Sequence, residues 1–291
     1  MEFISKKLIE KGWSRDKKYH VTTSQGVEYL LRVSDIAQFE AKQQEFFMMK
    51  KVAALNVPMC QPVDFGISEE GVYSVQTWIE GQDLIEILTQ FSNEDQYKFG
   101  FESGQILKKI HSIPAPSNQE NWADRFNRKI DGKIFNYSKC PLKHPKGQCF
   151  IDYINDNRYL LNGRPQSFQH GDYHIGNMMV DKDGKLQIID FNRMDFGDPW
   201  EEFNRIVWCA QKSHDFATGM VNGYFDNNVP SDFWKLLALY ISSNTLSSIY
   251  WAIPFGKEEI DVMINQTNDV LSWYDDMKRC VPSWYIKEYL Q

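Results

Sequence analysis

Three residues in the middle of the chain could carry out phosphoryl chemistry as a set: Asp172, Asn177 five positions on, and Asp190 eighteen positions beyond the first aspartate. They stand in HGDYHIGN (170–177) and IIDFNR (188–193). The intervening MMVDKDGKLQIID has apolar ends around Lys182-Asp183-Gly184, which predicts a β-hairpin over 178–180 and 186–190. A hairpin brings the chain back on itself, so it would deliver Asp190 beside the loop that holds the first pair. The group in flight during phosphoryl transfer carries spread negative charge, so a protein supplies positioning and magnesium, not covalent chemistry. Magnesium is a hard ion that takes carboxylate and amide oxygens, usually one or two from protein. Asn177 and Asp190 suit that role, and Asp172 is left to accept the proton of an attacking hydroxyl.

The same segment admits another chemistry. His170, Asp172 and His174 form H-x-D-x-H, which taken alone could be the site of a zinc hydrolase. Further metal-ligand motifs are missing, however, and Asp190 has no role in that reading. A Walker-type glycine loop is absent, which excludes a P-loop kinase. A nucleotide-binding pseudokinase is disfavoured because the base and both metal ligands are present.

The elements that must position these residues fall into two textures. Residues 2–11 read as a short helix ending at Gly12. YHVTT (19–23) and EYLLRV (28–33) read as strands, residues 36–55 as a helix stopping before Pro58, and PVDFGI (62–67) and VYSVQTWI (72–79) as strands. From Gly81 onward the pattern is helical: 94–112, 149–161, 200–213, 216–226, 231–249 and 257–279. The expected fold is therefore α+β: a small β-rich N-terminal lobe with one helix over 1–80, a hinge near Gln76–Gly81, and a larger, mostly helical lobe over 81–291. Trp208, Trp234, Trp251 and Trp273 read as helix-packing core.

HGD-x-x-x-x-N followed by a hairpin and IDF resembles the catalytic loop and metal segment of the aminoglycoside phosphotransferase family, small-molecule relatives of the protein kinases. The likeness runs through the LLR strand, the helix with Glu45, the WIEG hinge, LKKIH and GDPWEEF, and weakens over 113–165 and the C-terminal helices. It implies a protein-kinase-like, two-lobed fold in which Asp172 is the base, Asn177 and Asp190 bind metal, and His170, His174 and Asp198 support the loop. Arg32 then stands where kinases place the phosphate-gripping lysine, with Glu45 as its ion-pair partner and Ser14 near phosphate. Gln76, Thr77, Trp78 and Ile79 would clasp the purine of ATP or GTP. Arg193, Glu201, Glu202 and Asn204 become candidates for the substrate mouth. Asp275 and Asp276 in WYDDM either bind amines or form a solvated helix face.

The bulk numbers fit a small-molecule enzyme. The charge is 32 − 39 = −7, which disfavours nucleic acid and anionic membranes as partners and would suit a cationic substrate. Five scattered cysteines with no CxxC pair read as reduced thiols, and no signal core or membrane span is visible, so a cytoplasmic location is expected. The expected activity is transfer of the γ-phosphoryl group of ATP or GTP, with Mg2+, to a hydroxyl of an aminoglycoside-type acceptor. The alternative is a metabolic kinase for choline, an amino-alcohol or a sugar. The sequence leaves the donor purine and the oligomeric state open.

Overall fold

The computed structural model describes residues 1–10 and 16–290. In chain order the elements are β1 (Ser5–Ile9), β2 (Lys17–Thr22), β3 (Glu28–Ser34), α1 (Phe39–Ala53), β4 (Pro62–Ser68), β5 (Gly71–Thr77), β6 (Gly81–Asp83) and a single-turn α2 (Leu84–Ile87). There follow α3 (Asn93–Ile110), α4 (Trp122–Lys139), α5 (Gly147–Asn157), β7 (Ser167–Gln169), β8 (Met178–Asp181), β9 (Leu186–Ile188) and β10 (Asp195–Gly197). The chain closes with α6 (Ile206–Lys212), α7 (His214–Tyr224), α8 (Ser231–Ala252) and α9 (Lys257–Trp273). This is a mixed α+β fold, with sheet in the N-terminal region and helices in the C-terminal region.

Two compact units emerge: Met1–Leu84 with Asn177–Met194, and Ile85–Gly176 with Asp195–Gln291. A single cut after residue 80 would leave the Asp190 hairpin in the helical part; the compact unit that contains it is the first one. The reason is local. Strand β6 pairs with β8, and β8 with β9, so the hairpin is stitched to the segment that leaves the N-terminal sheet. Gly81 permits that approach, since a Cβ there would run into the backbone of Val180.

The first unit is built on an antiparallel sheet of order β1-β2-β3-β5-β4. Strand alternation sends Leu31 and Val33 into a core with Val21 and Val75, and sends Arg32 to the opposite face. Lys18 is the register partner of Arg32, so the two cations share that face. Residues 5–9, expected as a helix, form edge strand β1. SKKLI has neither a cap nor a long apolar period, and pairing with β2 decides its conformation. Helix α1 buries Phe46, Met48, Met49 and Val52 along one stripe, and also Glu45.

The second unit is helical apart from the β7–β10 ribbon. Helix α4 was not foreseen, although Asn121 caps it by accepting from the Ala123 N–H at 2.9 Å. Helices α3 and α7 pack backbone to backbone: a Cβ on Gly100 or Gly104 would run into the backbone of Phe216, Met220 or Tyr224, and one on Gly219 or Gly223 into that of Tyr97 or Phe101. Phe203, Tyr224 and Phe233 pack edge to face in the core. Trp234 and Trp273 are buried as expected, whereas Trp251 is 42% exposed. Helix α9 ends at Trp273, short of the expected 279, and Asp275, Asp276 and Met277 take left-handed backbone angles. The WYDDM acids thus lie in a turn, not on a helix face. Among the described residues, no helix is long and apolar enough to cross a membrane.

Candidate active site

The chain passes from the second unit to the first between Gly176 and Asn177. The expected machinery therefore divides into two half-sites, one within each unit.

In the first unit the short β8–β9 hairpin closes through Asp181, whose Oδ1 accepts from the Asp183 and Lys185 N–H groups, with Gly184 at φ 78°. At its open end the Ile189 N–H donates to the Asn177 carbonyl at 3.1 Å. Asn177 and Asp190 are thus brought to the same end of one hairpin. Asp190 holds a left-handed φ of 68°, a conformation that aspartate tolerates better than most residues. Arg32 donates through Nη1 to Asp190 Oδ1 at 2.7 Å and through Nη2 to Asp16 Oδ2 at 3.2 Å, and Lys18 Nζ lies 3.9 Å from Asp190 Oδ2. Carboxylate and amide oxygens at one hairpin end, faced by fixed cations, match what a hard divalent ion and phosphates require.

Glu45 does not pair with Arg32. Lys42 stands between them, bonded to Glu45 Oε2 at 3.1 Å and to Asp16 Oδ2 at 2.7 Å, and Ser34 donates to Asp16 Oδ1 at 2.8 Å. The carboxylate that grips Arg32 from the sheet side is therefore Asp16, which no motif had singled out. Although burial pushes Asp16 up, Lys42 and Arg32 together hold its carboxyl below the ordinary range. Glu45 is raised, chiefly by burial. Arg32 is held more firmly protonated by Asp190, against the opposing effect of burial.

Two of the four residues expected to clasp a purine are already engaged. Gln76 is buried in β5 with its amide on Met49 Sδ, and the Thr77 N–H donates to the Gln61 carbonyl. Trp78 and Ile79 follow the strand, and the Trp78 ring stacks on His20 with centroids 4.1 Å apart. Arg193 is exposed beyond the Asp190 turn. Ser14 lies outside the described residues.

In the second unit the loop 170–176 is held from beneath. Glu202, buried, accepts from the His170 and Gly171 N–H groups at 2.8 and 2.7 Å and faces His111 Nε2 at 3.3 Å. Gly171 sits at φ 85°. His170 is fully buried and takes the Asp172 N–H on Nδ1 at 3.3 Å; His174 takes the Gly176 N–H on its own Nδ1 at 3.0 Å. Both histidines thereby brace the loop backbone. Among the described residues, no group of three or more His, Cys, Asp or Glu is placed to hold a metal, so H-x-D-x-H does not assemble a zinc site. Asp172 Oδ1 faces Arg205 Nε at 3.3 Å and His174 Nε2 at 3.7 Å.

Asp198 is fully buried as the hub under the β7–β10 ribbon, accepting from Arg164 at 2.6 and 2.9 Å, Tyr240 Oη at 2.6 Å and the Trp200 N–H at 3.0 Å. The expected substrate acids are largely committed elsewhere. Glu202 anchors the loop, Asn204 donates to the Glu201 carbonyl, Glu201 pairs with Lys129 at 3.5 Å, and Asp276 is bonded to Lys146 at 2.8 Å. Arg205, missed by the motif reading, closes the GDPWEEFNR run that was singled out for its acids.

Residues 6–234 match the family model described as the phosphotransferase enzyme family. The sequence matches no curated protein. Among solved structures, the fold is similar to an aminoglycoside phosphotransferase in ternary complex with ADP and hygromycin B (14% identity, TM-score 0.64, 92% of this chain and 94% of that one). It is similar also to an amicoumacin kinase bound to AMP-PNP and Ca2+ (10% identity, TM-score 0.66, 98% and 92%). A third is a choline/ethanolamine kinase family protein from Mesorhizobium loti (14% identity, TM-score 0.65, 94% and 90%).

Proposed function

The chain belongs to the phosphotransferase enzyme family, and from that membership we propose that it is an ATP- or GTP-dependent kinase of a small hydroxyl compound, with Asp172 as base. The acceptor oxygen attacks the γ-phosphorus, the bond to the β,γ-bridging oxygen breaks, the hydroxyl proton passes to Asp172, and the nucleoside diphosphate leaves. Asn177 and Asp190 are the residues that would hold magnesium, which when bound neutralises phosphate charge. Arg32 and Lys18 supply fixed positive charge for the phosphates, while Trp78 and Ile79 offer the purine a wall and backbone groups. The cytoplasm, with its nucleotide pool, is the proposed compartment.

One observation carries this reading: Arg32 and Lys18 both face Asp190 at the hairpin end that also bears Asn177. As to the acceptor, family likeness favours aminoglycoside antibiotics, with choline-like amines and sugars as the second class. The cationic character first expected of it has little local support, because most of the acids that would have received an amine are bonded internally.

The test is nucleotide turnover with ATP and GTP in parallel against aminoglycosides, amino-alcohols, sugars and hydroxy acids, with Asp172→Asn as control. Acceptor-stimulated turnover that the control loses by about 10³-fold or more is the expected result. Nucleotide binding that no acceptor converts into turnover would point to a pseudokinase and overturn the proposal.

A further inference from the structure

Asp16 stands immediately before β2, whose first residue, Lys17, is the register partner of Val33. It therefore comes level with Ser34 at the end of β3, and its side chain, only 5% exposed, meets donors from β3 and α1 there. Ser34 donates to Oδ1 at 2.8 Å, while Arg32 Nη2 and Lys42 Nζ donate to Oδ2 at 3.2 and 2.7 Å. One buried carboxylate thus ties the start of β2 both to β3 and to helix α1. Glu45 is one step removed from Arg32, since it bonds Lys42, at 3.1 Å.

Arg32 is buried, and its planar fork must be satisfied by fixed acceptors. Nη1 goes to Asp190 at 2.7 Å and Nη2 to Asp16, while Nε has no partner among the described residues. The two aspartates, one on each arm, therefore set the direction of the guanidinium. They are not equivalent. Asp190 is a residue that would hold magnesium, and a carboxylate shared with a metal ion is a weaker partner for arginine. Asp16, on the other arm, is the counter-charge that keeps the buried cation in place. Lys42 is bonded to Asp16 and to Glu45 together. Loss of Glu45 therefore leaves a carboxylate on both Arg32 and Lys42, whereas loss of Asp16 strips one arm of Arg32.

We propose, resting on the kinase reading above, that Asp16 is the positioning residue of the nucleotide site. It fixes Arg32 for the phosphates, the task that family likeness assigns to Glu45, and it couples the start of β2 and helix α1 to that arginine. Glu45 acts at one remove, through Lys42. Asp16 touches no reacting atom, so its whole effect on the reaction passes through the guanidinium.

A double-mutant cycle between Asp16→Asn and Arg32→Ala tests this, with Asp16→Glu and Glu45→Gln alongside. For each variant, affinity for AMP-PNP and GMP-PNP is measured by calorimetry, kcat and both KM values by acceptor-stimulated turnover, and folding by urea denaturation. D16N should lose about ten-fold in nucleotide affinity and in kcat/KM for nucleotide, with the acceptor KM unchanged. In the Arg32→Ala background the same substitution should add nothing, because the group it acts through is gone. Asp16→Glu keeps the charge and so the fold; its misplaced carboxylate should lose about three-fold, and that loss too should vanish without Arg32. It carries the cycle should D16N fail to fold. E45Q should lose less than D16N by several-fold. Losses that multiply in the double variants overturn the inference, as does an E45Q loss equal to that of D16N. If wild type binds nucleotide and turns over an acceptor while the cycles are additive, this inference alone falls. Cycles that close as expected in binding, with no acceptor turned over, sustain it and sink the kinase reading. A wild type that binds no nucleotide sinks both.

Discussion

Arg32 Nη1 and Asp190 Oδ1 stand 2.7 Å apart although 158 residues separate them in the chain. The contact couples the middle of a buried sheet strand to the end of a distant hairpin, and Asp16 grips the same guanidinium from the other side. Both oxygens of Asp190 thereby face positive charge, Oδ1 to Arg32 and Oδ2 to Lys18, a field suited to handling phosphates.

Arg32→Lys keeps the charge but cannot span Asp190 and Asp16 with one planar fork. Its kcat/KM with respect to nucleotide should fall by about ten-fold or more, and that of Arg32→Ala by about a hundred-fold or more. Steady-state kinetics with nucleotide varied checks both.

Asp172→Asn and Glu202→Gln should separate chemistry from architecture. The first abolishes turnover while leaving the melting temperature within a few degrees of wild type. The second leaves the His170 and Gly171 N–H groups competing for one fewer charged acceptor, and should cost about 2–4 kcal/mol of stability. Urea denaturation of both variants, set beside their activities, gives the comparison.

Lys133 makes a pH prediction with a definite sign. Its amine lies near 7, depressed by burial and by Lys129 and Arg205, with Glu201 opposing.

The same group bears on stability. Folding withholds a proton that the unfolded lysine keeps up to about 10.5, so the site is most destabilising at and below pH 7, and stability recovers between pH 7 and 10.5. Lys133→Met should therefore be more stable than wild type at pH 6, by on the order of 1 kcal/mol once partial solvent screening is allowed for. The gain should vanish toward pH 10.5. Thermal melts across pH read this directly.

Gly104→Ala places a methyl group against the backbone of Met220 and Tyr224 on α7. Rigid backbone cannot yield as a side-chain end would, so a loss of about 2 kcal/mol or more is expected in chemical denaturation.

The local signals in the sequence were strong where local chemistry decides conformation. The strands on either side of Gly26, helix α1 and the Asp190 hairpin are specified by alternation, helical period and turn residues within a few positions. The placing of Asn177 and Asp190 at one end of that hairpin was legible for the same reason: their spacing only makes sense with a hairpin between them. Strand β1 and the end of α9 were misread because SKKLI is decided by its sheet partner, and WYDDM by a turn of left-handed residues.

What only the tertiary structure decided is which charge meets which. Glu45 looked like the partner of Arg32, yet Asp16 and Lys42 intervene, since a buried guanidinium is satisfied by whichever carboxylates the fold presents to it. Glu201, Glu202 and Asn204 looked like an acidic mouth, but burial turned Glu202 into a loop anchor and gave Glu201 to Lys129. Arg205 and Lys133 had no motif to announce them. Net charge is a sum over the whole chain and is fixed by composition; the sign of the field at one carboxylate depends on distances of a few ångströms, which packing alone sets.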